Sequence, residues 1–125
     1  MTAIQEIQAY LDRWVAAVRQ HKIDAATQSH ANDLVMFDVP EPLQRKGLDE
    51  YRDSWRIYFE SDPEGARRFE LLDSRIAASG DLAWVHALLV CTTDEGPAGR
   101  LTVCLRKVDG HWVVEHEHHS FPQKT

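Results

Sequence analysis

The chain has 125 residues, of which 43% are hydrophobic and 27% charged, a composition typical of a globular domain and not of a disordered segment. Its formal net charge of −6 argues against a nucleic-acid partner, because phosphate binding requires clustered Lys and Arg. No apolar run approaches the roughly 20 residues that span a bilayer, and the N-terminus does not resemble a signal peptide, so we expect one cytoplasmic domain over residues 1–125 without membrane contact.

The first half of the chain predicts two helices, a strand and a third helix. Apolar side chains recur at helical spacing over residues 2–20, and a shorter helix follows over 24–30. A strand over 34–39 is closed by the Pro-Glu-Pro sequence behind it, since proline removes a ladder donor. Residues 47–61 carry apolar residues along one helical side and predict the third helix.

The second half of the chain predicts four strands, over residues 67–77, 82–93, 100–108 and 111–120, joined by short loops that contain glycine. Helices that precede a run of consecutive strands are typical of an α+β fold, in which the helices pack on one face of an antiparallel sheet. We therefore expect a single α+β domain with no internal repeat.

The last hairpin is predicted to turn at Asp109 and Gly110, since both central residues of a type I′ turn have positive φ. Alternation along the following strand then places Trp112, His116 and His118 on one face. An apolar stripe that ends in two imidazoles is typical of a strand that runs from a core into a polar pocket.

The preceding hairpin is predicted to turn at the centre of the 96–99 loop, which pairs Thr93 with Thr102 and Cys91 with Cys104. Opposed residues share a face. The bulkier face, expected to be the inner one, holds Trp84, His86, Leu88, Val90, Leu101, Val103, Leu105, Trp112, Val114, His116 and His118. A bulge in either hairpin would reverse this assignment.

The same pairing leaves two states open for Cys91 and Cys104, a cross-strand disulfide or two free thiols. A reducing cytosol favours free thiols. The spacing of the two cysteines is not that of a zinc site.

Six short motifs are spread over the chain to about Pro122. They are Arg13-Trp14-Val15-Ala16-Ala17, Ile23-Asp24-Ala25, Ala31-Asn32-Asp33, Phe37-Asp38, Arg106-Lys107-Val108-Asp109-Gly110-His111-Trp112 and His116-Glu117-His118. The first four resemble the N-terminal half of ketosteroid-isomerase-like proteins, and the last two are similar to the SnoaL-like branch of the same superfamily, the nuclear transport factor 2-like proteins.

The resemblance implies a cone-shaped roll, in which a strongly curved antiparallel sheet wraps around three N-terminal helices and leaves a pocket at the wide end. It also implies a homodimer that forms through the outer face of the sheet. Function is not implied as firmly as fold, because such proteins include isomerases, cyclases, hydratases, dehydratases and binding modules without catalysis.

Steroid isomerase activity itself is not expected. The resemblance matches Asp38 with the catalytic base of those enzymes, which work with a tyrosine and a protonated aspartate. Trp14 occupies the position of the tyrosine, and an indole cannot act as a phenol acid. Residues 101–106, where the second aspartate should be, contain no carboxylate.

Asp38 is the first candidate for a catalytic residue. Alternation places it with Leu34 and Met36 on the inner face of its strand, and a carboxylate in an apolar pocket suits a general acid or base. The structural alternative is that Asp38 caps the turn that follows, over residues 40–43.

His116 and His118 are the second candidates, with His86 on the same predicted face. They could line a pocket as acid–base or hydrogen-bonding groups near neutral pH. They could bind a metal if His86 or Asp38 supplied a third ligand, although no metal or other cofactor is expected. They could also be structural, satisfied by neighbouring polar groups.

Aromatic residues are candidates for binding a ligand, since aromatic walls with a few polar groups are typical of small-molecule sites. Trp14, Tyr51 and Trp55 lie on two of the predicted helices, and His30 and His86 are further candidates for the pocket. Core packing is the alternative for His30.

Two functions follow. One is a cofactor-independent enzyme that abstracts a proton from a small hydrophobic carbonyl compound, in an isomerisation, dehydration or cyclisation, with Asp38 as base and His116 or His118 as proton donor. The other is a ligand-binding or dimerisation module of the same fold without catalysis.

Overall fold

The structure is a computed structural model, and it describes residues 1–92 and 96–123. The described elements, in chain order, are α1 (Ala3–Arg19), α2 (Ile23–Thr27), β1 (His30–Phe37), β2 (Arg45–Lys46), α3 (Leu48–Glu60), β3 (Glu70–Ser79), β4 (Leu82–Val90), β5 (Gly99–Val108) and β6 (His111–Ser120). The predicted α+β class and the order of the predicted elements are confirmed, and the additional strand β2 was not predicted.

The described strands form one six-stranded sheet in the order β2-β1-β6-β5-β4-β3. The sheet is mixed, since β1 lies parallel to β6 while the other neighbours are antiparallel. The sheet is therefore mainly antiparallel, as expected, with one parallel pair that was not predicted. After β1 the chain passes through α3 and four strands before β6 returns beside β1, and this long crossover permits parallel pairing.

The helices cover the inner face of the sheet, and α1 begins at a side-chain cap. Thr2 and Gln5 form a capping box before α1, and the apolar stripe of that helix is buried. Helix α2 is shorter than predicted, and β1 begins at His30 instead of residue 34. The polar stretch at the start of β1 is held as a strand because His30 pairs with Val114 of β6.

The register between β4 and β5 differs from the predicted one and reverses the predicted faces of β4. Leu101, Val103 and Leu105 of β5 are buried, as predicted. Ala87 pairs with Leu101 and Trp84 with Cys104. The small side chains of β4 therefore point inward, and Trp84 and His86 lie exposed on the outer face. Apolar residues occupy both rows of this strand, so its sequence does not determine which row is buried.

Two predictions for this hairpin have different outcomes. Thr93, which was predicted to pair with Thr102, lies outside the described residues. Thr102 pairs with His86. Cys91 and Cys104 are not opposed, and both are free thiols.

The turn between β5 and β6 has the predicted form, with φ of 49° at Asp109 and 80° at Gly110. The predicted register holds as far as Leu105 and Val114, where a bulge follows, because Cys104 pairs with His116. One extra residue, Glu115, therefore reverses the alternation of every later side chain in β6.

The core lies between the sheet and helices α1 and α3. Its largest fully buried apolar side chains include Trp14, Tyr51, Ile7, Leu11, Leu34 and Met36. Within the described ranges, none of the helices combines the length and the apolarity needed to cross a membrane.

Candidate functional site

The reversed alternation of β6 brings two polar side chains into the interior, Glu117 and His119. Both are buried, and they pair across the sheet with the core residues Val103 and Leu101 of β5. A buried carboxylate is tolerated only when other groups compensate its charge and satisfy its oxygens. The surroundings of Glu117 therefore define the site.

Glu117 is the centre of a hydrogen-bonded cluster, and its side chain is 0% exposed. The hydroxyl of Tyr51 donates to Oε1 at 2.8 Å, and Nε2 of His30 lies 2.6 Å from the same oxygen. Nε2 of His119 lies 2.9 Å from Oε2. A carboxylate only accepts hydrogen bonds, so both histidine nitrogens donate to Glu117.

The cluster keeps Glu117 ionised in spite of its burial. Burial by itself raises the pKa of Glu117, but the charge of His30 and the hydrogen bonds from His119 and His30 outweigh it and hold the pKa well below its usual range. Burial and the charge of Glu117 raise the pKa of Tyr51, so this phenol remains a neutral donor.

The pKa of His119 is shifted upward, in the opposite direction to that of Glu117. Burial by itself lowers the pKa of His119, but its hydrogen bond to Glu117 and the charges of Glu117 and Asp38 together raise the pKa above its usual value. With Nε2 bound to Glu117, Nδ1 has no hydrogen bond to a described residue, and the side chain of His119 is 10% exposed and lines a cavity. Nδ1 of a protonated His119 is thus a donor available to a ligand.

A cavity of about 390 Å³ lies against His119. Its volume is in the range of small-molecule sites, and most of its walls are apolar. The floor is formed by buried residues, and the rim by exposed ones. Its lining includes Met36, Asp38, Trp55, Ile57, Arg67, Phe69 and His119.

Two of the predicted site residues line the cavity, Asp38 and Trp55. Asp38 is half-buried, and its Oδ1 accepts a hydrogen bond from the backbone N–H of Val39 at 2.8 Å. The indole N–H of Trp55 is buried and has no partner among the described residues. Because an unpaired buried donor is costly, a polar group of a ligand would stabilise it.

Three further predicted residues lie behind the cavity. Trp14 is buried and packs edge-on against His119, with ring centroids 6.5 Å apart. Tyr51 and His30 belong to the Glu117 cluster, where their rings stack at 4.4 Å. They position the groups that reach the cavity and do not line it.

His116, His118 and His86 are not in the cavity, and their predicted inward orientation is wrong. The bulge turns His116 and His118 to the outer face, where the ring of Phe37 lies against both. Nδ1 of His116 lies 2.7 Å from the carbonyl oxygen of Val35. His86 is on the same outer face because of the register of β4, and it stacks on Trp84.

A metal site at these histidines would need a third ligand beside the pair. Over residues 1–92 and 96–123, no group of three or more His, Cys, Asp or Glu is arranged to hold a metal ion. The Glu117 cluster uses its histidine nitrogens as donors to the carboxylate, and this excludes those nitrogens as metal ligands in this arrangement.

Glu117 and His119 were missed by sequence reasoning, which placed both on the opposite face. After Val114 the strand is polar on both of its rows, so the alternation of apolar residues no longer reports which row is inside. A bulge leaves no signal in such a stretch, and only the pairing with β5 reveals it.

Comparison with known proteins places the chain among SnoaL-like and nuclear transport factor 2-like structures. A family model described as a SnoaL-like domain matches residues 7–124. A nuclear transport factor 2-like protein of unknown function from Pseudomonas putida is 34% identical, with a TM-score of 0.86 over 99% of this chain and 91% of the other. No curated protein matches the chain.

Two other solved structures share the fold at low identity. A putative ketosteroid isomerase from Parabacteroides distasonis is 16% identical, with a TM-score of 0.71 over 94% of this chain and 86% of its own. A putative aromatic ring hydroxylase from Novosphingobium aromaticivorans is 17% identical, with a TM-score of 0.72 over 99% and 94% of the two chains.

Proposed function

The chain belongs to the SnoaL-like domain family, and we propose that it binds a small, mostly apolar carbonyl compound in the cavity and transfers a proton on it without a cofactor. The observation that carries this proposal is the contact of His119 with both the cavity and the buried Glu117. This contact supplies a proton donor in an apolar site, where a hydrogen bond to a developing oxyanion is strongest.

In the proposed reaction, Asp38 and His119 act on one substrate. Asp38 takes a proton from the carbon beside the carbonyl, and the electrons of the broken C–H bond move toward the carbonyl oxygen. His119 donates its Nδ1–H to that oxygen and stabilises the enolate. Return of the proton to another carbon is an isomerisation, and loss of a hydroxyl group is a dehydration.

Glu117 is a positioning residue in this scheme. It receives the Nε2–H of His119, which fixes the ring orientation and leaves Nδ1 toward the cavity. The carboxylate also favours the protonated imidazole, since it raises the pKa of His119. His30 and Tyr51 hold Glu117 in turn through its other oxygen.

The test is hydrogen exchange at the α-carbon of 2-tetralone in D2O, followed by proton NMR. This apolar ketone reports proton abstraction whatever the natural substrate is. We expect the protein to accelerate exchange, and Asp38→Asn and His119→Gln each to remove the acceleration, because one lacks the base and the other the cationic donor. His118→Gln is the matched control, since the neighbouring ring lies on the outer face.

A second candidate function, ligand binding without catalysis, is favoured by the hydrogen bond from the Val39 N–H to Asp38. This bond engages one oxygen of the Asp38 carboxylate with the backbone of the next residue, although it is not the cap of the turn over residues 40–43 that the structural alternative predicted. Binding of 2-tetralone without accelerated exchange would support this function and would contradict the catalytic proposal.

We also propose that the outer face of the sheet pairs with a second copy of the chain. Phe37 on β1 and Trp84 on β4 are 38% and 46% exposed there, and each packs against a histidine of that face. A face that pairs with its own copy places each Trp84 in a shared interface. Trp84→Glu should then convert a dimer to a monomer in sedimentation equilibrium, whereas a monomeric wild type would contradict the proposal.

A further inference from the structure

We propose that the ligand of the cavity is an amphipathic anion, whose acidic group binds Arg67 at the rim while its apolar body lies deeper. This inference rests on the proposed function, because it assigns the substrate class of the same cavity. It adds a recognition element for an anion to the acid–base groups of the cavity.

The cavity has a buried end and an exposed end. Met36, Phe69 and His119 are nearly inaccessible, and they form the floor. Ile57, which is 56% exposed, lies at the rim. A ligand that fills the cavity therefore has one end in an apolar interior and the other near water, as an amphipathic molecule requires.

Arg67 lies half-buried at this rim and is held in place by neighbours on α3 and after it. Its Nη1 donates to the hydroxyl of Ser61 at 2.6 Å, and its guanidinium lies 5.3 Å from the ring centroid of Tyr58. Its backbone N–H donates to Asp62, which fixes the main chain independently of the side chain. A guanidinium carries five N–H donors, so the contacts with Ser61 and Tyr58 do not use all of them.

The charge of Arg67 is uncompensated within the described residues. Its guanidinium forms no ion pair there, whereas the adjacent Arg68 pairs with Glu70 at 2.8 Å. Arg67 thus differs from its neighbour in that it lines the cavity and forms no ion pair with any residue over 1–92 and 96–123. A guanidinium binds carboxylates and other oxyanions with two parallel hydrogen bonds, so an acidic group of a ligand would form an ion pair with Arg67.

Asp38 sets the direction in which an anion can bind. It lines the same cavity but does not pair with Arg67, and its negative charge disfavours an acidic group close to it. The acid is thereby directed to Arg67, and the other end of the molecule is directed to Asp38 and His119. This orientation brings the reacting carbonyl to the acid–base groups.

The experiment compares 2-naphthoate with 2-naphthamide, its neutral analogue of the same shape, by isothermal titration calorimetry. We expect the wild type to bind the acid about tenfold more tightly, as a charge-assisted hydrogen bond at a half-exposed site would give. Arg67→Gln should remove this preference and leave the affinity for the amide unchanged. Arg67→Lys should retain part of it, and Arg68→Gln should retain it fully.

Equal affinity of the wild type for both probes, or an unchanged affinity of Arg67→Gln for the acid, would overturn the inference. Binding of the amide would then still support the cavity as a ligand site. Failure of both probes to bind would overturn the inference as well, and exchange of 2-tetralone that depends on Asp38 would separately uphold the proposed function. Thermal unfolding by circular dichroism checks that each variant is folded.

Discussion

Replacement of Glu117 by Gln tests whether the buried carboxylate holds the site together. The substitution keeps the shape of the side chain and one oxygen for Tyr51 and His30, but it removes the charge that His119 and His30 face. Removal of one partner from a buried ion pair leaves the other uncompensated, so we expect a loss of about 3 kcal/mol in the free energy of unfolding.

The second consequence of Glu117→Gln concerns protonation. The hydrogen bond and the charge of Glu117 are what raise the pKa of His119 against its burial. Without them burial dominates, and the pKa of His119 should fall below its usual value. His119 should then be neutral at pH 7, and exchange of 2-tetralone should be slower than in the wild type.

Two measurements check this prediction: urea unfolding followed by tryptophan fluorescence, and NMR titration of the His119 ring. Glu115→Gln is the matched control, because this carboxylate is 38% exposed and its ion pair with Arg106 lies at the surface. Such pairs contribute at most about 1 kcal/mol. If Glu117→Gln were no less stable than this control, or if His119 titrated as in the wild type, the reasoning would be refuted.

Three further predictions follow from the fold and the cluster. The raised pKa of His119 contributes stability below about pH 6.5, and this stability is lost as the pH rises through the folded-state pKa of His119. The lowered pKa of Glu117 contributes stability above about pH 4.3, and this stability is lost on acidification. Urea unfolding from pH 3 to 9 should therefore give a maximum between these values, and a flat profile would contradict the pairing. Thr2→Ala should lower the free energy of unfolding by about 1 kcal/mol in the same assay, because it removes the capping box of α1, and no change would show that the cap is not needed. Leu101→Ala should cost about 2 to 5 kcal/mol because the side chain is fully buried, while Leu82→Ala, at an exposed position, should cost far less; equal losses would contradict the observed register.

The local signals in the chain were sufficient for most of the fold. The helical spacing before residue 62 and the strands after it predicted the α+β class and the element order. The Asp109-Gly110 turn was predicted with its positive φ values, since few residues adopt that conformation. These features depend on neighbours within a few residues, which a sequence displays directly.

Asp38 and Trp55 line the cavity, and their roles in catalysis and binding stay predictions. Asp38 follows the strand β1 and Trp55 lies on the helix α3, and in each element the spacing of the apolar neighbours indicates which side is buried. The predicted inward orientation of His116 and His118 is wrong because a single extra residue, Glu115, separates them from Val114, the last apolar position that indicates the register. The error concerns the register of one strand and not the residue types, since a histidine and a carboxylate remain the candidate groups.

The sequence by itself determined which elements form, how they follow one another, and that histidines and carboxylates are concentrated at the end of β6. Only the tertiary structure decided which of them face the interior. Glu117 and His119 point inward because β5 offers one residue fewer than β6 between two paired positions, and the strand accommodates the excess by a bulge. Such a mismatch between two strands is a property of their pairing, which neither strand expresses alone.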